Sequence, residues 1–174
     1  ITTNKQTGKS PHPFGILKYD WNGETYNLRD DAMPEELFEH LKSNNHYEKG
    51  IASAGGLIHR GVNKGKYLIM TDGDNQSGCN AVFPNGLESL KTKTLVEQHK
   101  DRPDKLHAYY VASRPIISIP ATDKPNGIKF EVKSESKTGV HFVSPSLHKD
   151  GERYEIVSEC KVPFVIPDED IDKF

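Results

Sequence analysis

The segment Tyr67-Leu-Ile-Met-Thr-Asp72-Gly73-Asp74 decides the fold of this chain, because an apolar run passes directly into two carboxylates. The apolar part predicts a buried strand over Lys66–Asp72. Since side chains alternate between the two faces of a strand, Asp72 and Asp74 project to the same side, about 7 Å apart along the backbone. Two carboxylates at this spacing can share one or a pair of hard cations such as Mg2+. An Asp-Gly turn after a buried strand would contain the same residues, and the motif by itself leaves both interpretations open.

On the N-terminal side of this strand, the sequence predicts a hairpin, a short helix and a partner strand. Asn22-Gly23, between Phe14–Tyr19 and Glu24–Leu28, is a strong hairpin signal. Pro34 stands at the first turn of an amphipathic helix. Leu57–Arg60 then predicts a strand that pairs with the one ending in the carboxylates.

On the C-terminal side, a second helix is predicted from Pro84-Asn85, with Leu87, Leu90 and Val96 as an imperfect apolar stripe. After Pro103 the pattern changes to short strands bounded by Pro, Gly, Ser or Asp. These strands are His107–Ala112, Ile116–Ile119, Gly127–Lys133, Val140–Val143, Arg153–Val157 and Val162–Ile166. Two helices among about ten strands predict an α+β domain built on mixed sheets.

Length and composition predict one globular domain. The chain has 174 residues, of which 34% are hydrophobic and 28% charged, which excludes collagen-like, coiled-coil and fully disordered chains. Its net charge of −2 argues against coating of nucleic acid by bulk charge, but not against a local basic groove. No apolar run approaches the roughly 18–20 residues of a membrane span. We expect a flexible lead-in over 1–13, a catalytic domain over 14–167 and an acidic tail or linker over 168–174.

The ends and the cysteines of the chain bear on its location. The chain opens with Ile1 in a polar stretch that lacks the apolar region of a signal peptide, so we expect an excised domain of a longer polypeptide. Cys79 and Cys160 stand 81 positions apart, with no CxxC motif. They predict reduced thiols in a cytoplasmic protein and no structural zinc site.

Two further strands carry residues that suit phosphate and metal binding. His107 heads an aromatic strand just after Lys105, and both side chains can donate hydrogen bonds to a polyphosphate. A solvated histidine at a strand edge is the alternative. Glu131 lies between Lys129 and Lys133 on a strand that alternates apolar and charged residues. This is the pattern of a third metal ligand beside a phosphate site, or of a half-buried strand without function.

A turn near the C-terminal end offers hydroxyl and imidazole groups. Ser144-Pro-Ser146-Leu-His148 follows a strand, and its Ser146 and His148 side chains suit phosphate or sugar contacts. A serine turn with an incidental histidine is the alternative. A catalytic Ser–His pair is disfavoured, because the G-x-S-x-G nucleophile elbow is absent from the sequence.

The order of these motifs is more specific than any one of them. His107 follows Asp74 by 33 residues and Glu131 follows His107 by 24. The set resembles the archaeo-eukaryotic primase superfamily, specifically the bifunctional primase–polymerase domain of archaeal plasmids and phages. That family carries hhhDxD/E, sxH and hD/E motifs in this order, and its plasmid branch adds PPS-x-H…G…Y, matched here by Ser144–His148, Gly151 and Tyr154. The resemblance covers roughly residues 50–157.

The resemblance implies a role for each motif. Asp72, Asp74 and Glu131 would be the catalytic ligands of two divalent ions, Mg2+ or Mn2+. His107 would contact the triphosphate of the incoming nucleotide. Lys105 stands where the family usually has a small residue such as Ser, a departure that bears on the local phosphate contact. Further nucleotide contacts would come from Lys105, Lys133, Ser146 and His148.

The implied activity is DNA-dependent primase and polymerase chemistry, a nucleotidyl transfer on a single-stranded DNA template with a primer strand and dNTPs or NTPs. The family fold is an RRM-like mixed β-sheet beside a smaller α/β unit. The family also implies a cytoplasmic replication protein of plasmid or virus type with no membrane partner. The missing Met and the acidic tail favour a helical or helicase domain downstream.

Two alternatives to polymerase activity remain open. One is a metal-dependent nuclease that uses the same carboxylates to activate water. The other is a catalytically silent nucleic-acid-binding module that stacks bases on aromatic side chains. Tyr109 and Tyr110 are the candidates for stacking, although neighbours on a strand face opposite ways and only one of them could serve.

Overall fold

The computed structural model describes residues 18–27, 34–43, 51–83, 85–120, 125–135, 140–146 and 151–173. These residues form an α+β fold with a mostly antiparallel open sheet, which confirms the α+β class predicted from the sequence. The strands are β1 (Lys18–Trp21), β2 (Glu24–Asn27), β3 (Ile51–Ala54), β4 (Gly56–Leu57), β5 (Tyr67–Gly73), β6 (Val96–His99), β7 (Arg102–Ala112), β8 (Phe130–Lys133), β9 (Val140–Val143), β10 (Tyr154–Ile156) and β11 (Phe164–Val165). The helices are α1 (Glu35–Ser43), α2 (Gln76–Val82) and α3 (Gly86–Lys91).

The main sheet has seven strands and is built around β5 and β7. Its order is β10-β6-β7-β5-β4, while β8 also pairs with β5 and β11 pairs in parallel with β7. The strand β5 thus lies between β7 on one side and β4 and β8 on the other. Two further pairs, β1–β2 and β3–β9, are separate two-stranded sheets.

The two faces of β5 have different surroundings. Ile69 belongs to the hydrophobic core, which also contains Cys79 and Phe83 of the α2 region. Gly73 projects toward α2, where a Cβ atom would lie 2.6 Å from Cys79 Sγ, so only glycine fits this crossing. Met70 and Asp72 leave the strand on the opposite face, because side chains alternate. The core and the Asp72 carboxylate therefore use opposite sides of one strand.

Several local predictions are confirmed. Asn22 and Gly23 have φ values of 50° and 82° in the β1–β2 hairpin, as a primed two-residue turn requires. Helix α1 begins directly after Pro34. The strand Val140–Val143 forms as β9 with the predicted bounds. The part of the predicted hairpin at 14–17 and 28 lies outside the described residues.

Other predictions are wrong, and tertiary pairing explains them. Val96 lies in β6 opposite Ala108, not on a helix, because α3 ends at Lys91 and the chain then pairs with β7. The predicted strand Ile116–Ile119 forms only a single bridge, between Ile119 and Val132. Strand β3 and helix α2 form without having been predicted.

The segment predicted as an acidic tail or linker is packed against the domain. Residues Asp168–Lys173 form a 3-10 helix whose Ile171 side chain is buried in the core. Arg114 donates a 2.6 Å hydrogen bond to Asp172 in the same segment. Among the described residues, every helix is too short or too polar to cross a membrane.

Candidate metal and nucleotide site

Four ionisable residues form a row across the main sheet. Glu97 on β6 lies opposite His107 on β7, His107 lies opposite Asp72 on β5, and Asp72 lies opposite Glu131 on β8. Directly opposite residues of antiparallel strands project from the same face, with Cβ atoms about 4.5–5.5 Å apart. The structure therefore brings Asp72, His107 and Glu131 together on one face, as the motif order implied.

The row is shielded from solvent and its members are close. His107 Nε2 lies 3.5 Å from Asp72 Oδ1, and His107 Nδ1 lies 4.0 Å from Glu97 Oε2. The side chains of Asp72 and Glu131 are 13% and 14% exposed, and those of His107 and Glu97 are exposed still less. Interactions between these charges are consequently stronger than they would be at an open surface.

A second layer supplies a further imidazole. His141 comes from β9, which pairs with β3 rather than with the main sheet. Its side chain is 1% exposed, its Nε2 lies 3.6 Å from Glu131 Oε1, and its ring centroid is 5.0 Å from that of His107. Ligand atoms from Asp72, His107 and His141 all lie within 4.8 Å of one another, so these three residues could hold a metal ion.

Glu97 anchors the β6 end of the row. It accepts a 2.6 Å hydrogen bond from the Tyr109 hydroxyl and a 2.8 Å hydrogen bond from the Ser144 backbone N–H. The rings of His99 and Tyr154 pack against that of His107, at centroid distances of 5.7 and 5.3 Å. These contacts enclose His107 on the side away from Asp72.

The charges of the row perturb one another. Burial raises the pKa of Asp72, but the charge and hydrogen bond of His107, together with the charges of His141 and Lys133, leave it well below its ordinary value. Burial lowers the pKa of His107, yet Asp72 and Glu97 raise it above 6.5 overall. Burial, helped by His107 and Lys133, holds the pKa of His141 well below its usual range. Asp72 is therefore a carboxylate and His141 a neutral imidazole at neutral pH.

Glu131 has the opposite shift from Asp72. Burial raises the pKa of Glu131, Lys133 opposes the shift, and the charges of Asp72 and Asp74 add to it. Within the described residues, however, Asp74 and Glu131 lie outside the one group of three whose ligand atoms are all within 4.8 Å.

The turn after β5 is tied to the start of β8. The Asp74 N–H donates a 2.9 Å hydrogen bond to the Lys129 carbonyl. Asn75 caps α2, since its Oδ1 accepts a 2.8 Å hydrogen bond from the Gly78 N–H, and its Nδ2 donates to the Gly127 carbonyl at 2.8 Å. A Cβ atom on Gly78 would overlap the Lys129 carbonyl oxygen. This close packing holds Glu131 beside Asp72.

The other predicted nucleotide contacts are distributed around the row. Lys133 donates to Glu131 and so lies at the site. Lys105 is two residues before His107 on β7, and alternation sends its side chain to the same face. Ser146 is buried, and its carbonyl accepts a 3.1 Å hydrogen bond from the N–H of Tyr154. His148 lies outside the described residues.

Two residues of the site were not predicted, namely Glu97 and His141. Glu97 directly follows Val96, which the sequence predicted on the apolar stripe of a helix, and the segment Val96-Glu97-Gln98-His99 has three polar residues after one apolar residue. His141 alternates with Val140 and Phe142, a signal that a polar side chain leaves one face of a strand. Tyr109 and Tyr110 are both buried, so neither offers a surface on which a base could stack.

A cavity lies on the other face of the sheet. It measures about 1010 Å3, and its lining includes Thr71, Tyr110 and Val132, the core-facing neighbours of the acidic row. The sheet therefore separates this cavity from Asp72 and His107.

Comparisons with known proteins give no assignment for the chain. No protein-family model matches it, and no curated protein matches it. The site geometry and the motif order thus carry the functional argument.

Proposed function

We propose that this chain is the catalytic domain of a DNA-dependent primase–polymerase that joins nucleotides 5′ to 3′ on a single-stranded DNA template. The observation that carries the proposal is the position of Asp72, which has His107 and Glu131 as its direct neighbours on the two flanking strands. These residues come from three separate motifs whose order resembles the primase–polymerase pattern. Independent motifs that meet at one spot are difficult to explain by sheet stability alone.

The donor set suits divalent cations. Asp72, Asp74 and Glu131 would hold two ions, Mg2+ or Mn2+, which would activate the primer 3′-hydroxyl and clamp the triphosphate. The charges of Asp72 and Asp74 both raise the pKa of Glu131, a cost that bound cations would relieve. Lys133 compensates part of this negative charge through its contact with Glu131.

Donor groups for the nucleotide lie beside the carboxylates. Imidazole and ammonium groups can donate charge-assisted hydrogen bonds to phosphate oxygens. His107 belongs to the row, and Lys133 contacts Glu131 of the row. Lys105 lies two residues before His107 on the same strand. The rings of His141 and Tyr154 pack against His107, so these two side chains must move aside when a triphosphate reaches it.

The test is a primer-extension and de novo synthesis assay that compares dNTPs with NTPs, with Mg2+ and with Mn2+. The wild-type chain should extend a primer, and Asp72→Asn combined with Asp74→Asn should abolish extension in protein that circular dichroism shows to be folded. Asp104→Asn is the matched control, because Asp104 is a surface carboxylate paired with Arg102. Synthesis by the double variant would remove both carboxylates from the mechanism.

The same assay separates the alternatives. Cleavage of a labelled strand without added nucleotides, and without extension, would identify a nuclease. Binding of nucleic acid with neither reaction would identify a silent module, an outcome disfavoured by the burial of Tyr109 and Tyr110.

A further inference from the structure

The group formed by Asp72, His107 and His141 differs from the donor set of the proposed polymerase site. It contains two imidazoles and one carboxylate, whereas Asp72, Asp74 and Glu131 are all carboxylates. Imidazole nitrogen suits Zn2+, Co2+, Ni2+ and Fe2+, while sites made of oxygen donors suit Mg2+ and Ca2+. The two sets share Asp72 but favour different ions.

The geometry of the group is close to that of a metal site. Two ligands at about 2.0–2.1 Å from a tetrahedral ion are about 3.4 Å apart. His107 Nε2 and Asp72 Oδ1 are separated by 3.5 Å. The ligand atom of His141 lies within 4.8 Å of both, so a small movement of β9 or of one side chain would complete the set.

The imidazole nitrogens provide an independent reason to expect a ligand. His141 is fully enclosed, and neither of its ring nitrogens has a hydrogen-bond partner. His107 Nδ1 is also buried without a hydrogen bond. Buried polar groups are hydrogen-bonded in the large majority of cases, and an orphaned one requires an explanation. A metal ion would satisfy a nitrogen of His141.

The surroundings of His107 match the outer shell of a metal site. A metal-bound histidine commonly directs its second ring nitrogen toward a carboxylate, which fixes the ring and its tautomer. His107 directs Nε2 toward Asp72 and Nδ1 toward Glu97, whose Oε2 lies 4.0 Å away. Glu97 is itself held by Tyr109 and by the Ser144 backbone.

We propose that Asp72, His107 and His141 bind one divalent transition-metal ion of the Zn2+ and Co2+ class in preference to Mg2+, with Glu97 as the outer partner of His107. Glu131 lies 3.6 Å from His141 but outside this group, and it is paired with Lys133. This site stands on its own geometry and does not depend on polymerase activity.

Metal binding is tested on the full chain after chelator treatment. Co2+ is titrated while its visible d–d absorption is recorded, and Zn2+ and Mg2+ are compared by calorimetry and by the shift of the melting temperature. Zn2+ and Co2+ should bind with one ion per chain and raise the melting temperature, because a ligand that binds only the folded state stabilises it. Mg2+ at equal concentration should produce a much smaller shift. Equal shifts with Mg2+, or none with Zn2+ and Co2+, would overturn the proposal.

Variants identify the ligands. Substitution of an outer-shell partner commonly lowers metal affinity about 10–100-fold, and we expect a Co2+ affinity loss of this size for Glu97→Gln. His141→Ala removes a direct ligand and should therefore lower the Co2+ affinity by more than about 100-fold. His59→Asn is the control, since His59 lies outside the group. Undiminished affinity in a folded His141→Ala protein contradicts the site. His141→Asp, which restores a donor, should recover part of the Co2+ binding if the alanine variant folds poorly.

The outcomes for the metal and for the polymerase are separable. Co2+ binding that requires His141, in a chain that extends no primer, supports the metal site and refutes the polymerase. Primer extension that survives His141→Ala, in a chain with unchanged Co2+ affinity, supports the polymerase and refutes the metal site.

Discussion

Tyr109 donates its hydroxyl hydrogen to Glu97 at 2.6 Å, and both side chains are buried. The carboxylate of Glu97 is thereby fixed opposite His107, two strands away from Asp72. The pKa of Tyr109 is raised well above 10, mainly because burial disfavours the phenolate. The charge of Glu97 adds to this effect. The face of the sheet that carries Asp72 and His107 is thus braced by Tyr109, a residue outside the row.

Tyr109→Phe removes this brace and leaves a buried carboxylate with one donor fewer. We expect a loss of about 1–3 kcal/mol in the free energy of unfolding, the usual cost of an unsatisfied buried group. Urea unfolding followed by circular dichroism measures it. Tyr67→Phe, on the partly exposed part of β5, should change the stability by less than about 0.5 kcal/mol. Equal effects of the two substitutions would mean that the hydroxyl of Tyr109 does not hold Glu97.

His107→Ala should weaken nucleotide binding if His107 contacts the triphosphate. A hydrogen bond to a charged group contributes about 1.5–3 kcal/mol, which corresponds to a loss of roughly 10–100-fold in affinity. Calorimetric titration with a dNTP measures this loss. His59→Ala removes a histidine that is not part of the row and should leave the affinity unchanged. The contact is refuted if both variants bind as the wild type does.

Asp72→Asn should lower the pKa of His107. In the wild type, burial lowers this pKa, while the charge and hydrogen bond of Asp72 together with the charge of Glu97 raise it by more, so removal of the Asp72 charge shifts the pKa downward. The ion pair of His107 with Asp72 makes its full contribution to stability below pH 6.5, the pKa of a histidine in the unfolded chain. This contribution is lost as the pH rises through the higher pKa of His107 in the folded protein. NMR titration of the imidazole resonances measures the change, with Asp104→Asn as the control. A His107 pKa that does not move would show that Asp72 is not its charge partner.

Gly78→Ala should destabilise the fold, although alanine is normally preferred to glycine inside a helix by about 1 kcal/mol. The reason is the overlap between the new Cβ atom and the Lys129 carbonyl oxygen. Overpacking of this kind costs about 1–3 kcal/mol. Thermal unfolding measures the loss, and Ser77→Ala, at the exposed neighbouring position of α2, should be nearly neutral. A more stable Gly78→Ala protein would contradict the close approach of α2 to the start of β8.

Cys79 should resist alkylation in the folded protein. Burial raises the pKa of its thiol to about 11, and the thiolate is the reactive form, so little of it is present at pH 8. Cys160 is partly exposed and should react first. Mass spectrometry after brief treatment with iodoacetamide measures the order, and both thiols should react in urea. Equal rates in the native protein would show that α2 opens readily.

Local signals predicted those parts of the fold that local interactions produce. Asn22-Gly23 specifies a primed turn by itself, and Pro34 specifies a helix start. Helix α2 has no apolar stripe in its sequence, Gln76-Ser-Gly-Cys-Asn-Ala-Val82, and it forms because Asn75 caps it and Cys79 packs in the core. Helix propensity and hydrophobic periodicity do not encode either of these contacts.

The sequence predicted the site residues that belong to a recognisable motif. It did not predict those that reach the site only through tertiary packing. Asp72, His107 and Glu131 were identified from motif order, and strand register then places them side by side. His141 reaches them from a different sheet, and no spacing in the sequence encodes that contact. Glu97 was missed because its strand was read as the end of a helix.

The pairing of β5 with both β7 and β8 links correct folding to correct chemistry. A slip of one residue in either ladder would turn Asp72 into the apolar layer and send Thr71 to the polar face. Such a molecule would bury an unpaired charge, and it would unfold rather than persist as a well-folded but inactive species. The fraction of molecules that is folded should therefore equal the fraction with an intact site. A titration that counts intact sites in a purified sample would then also measure the fraction of correctly folded protein.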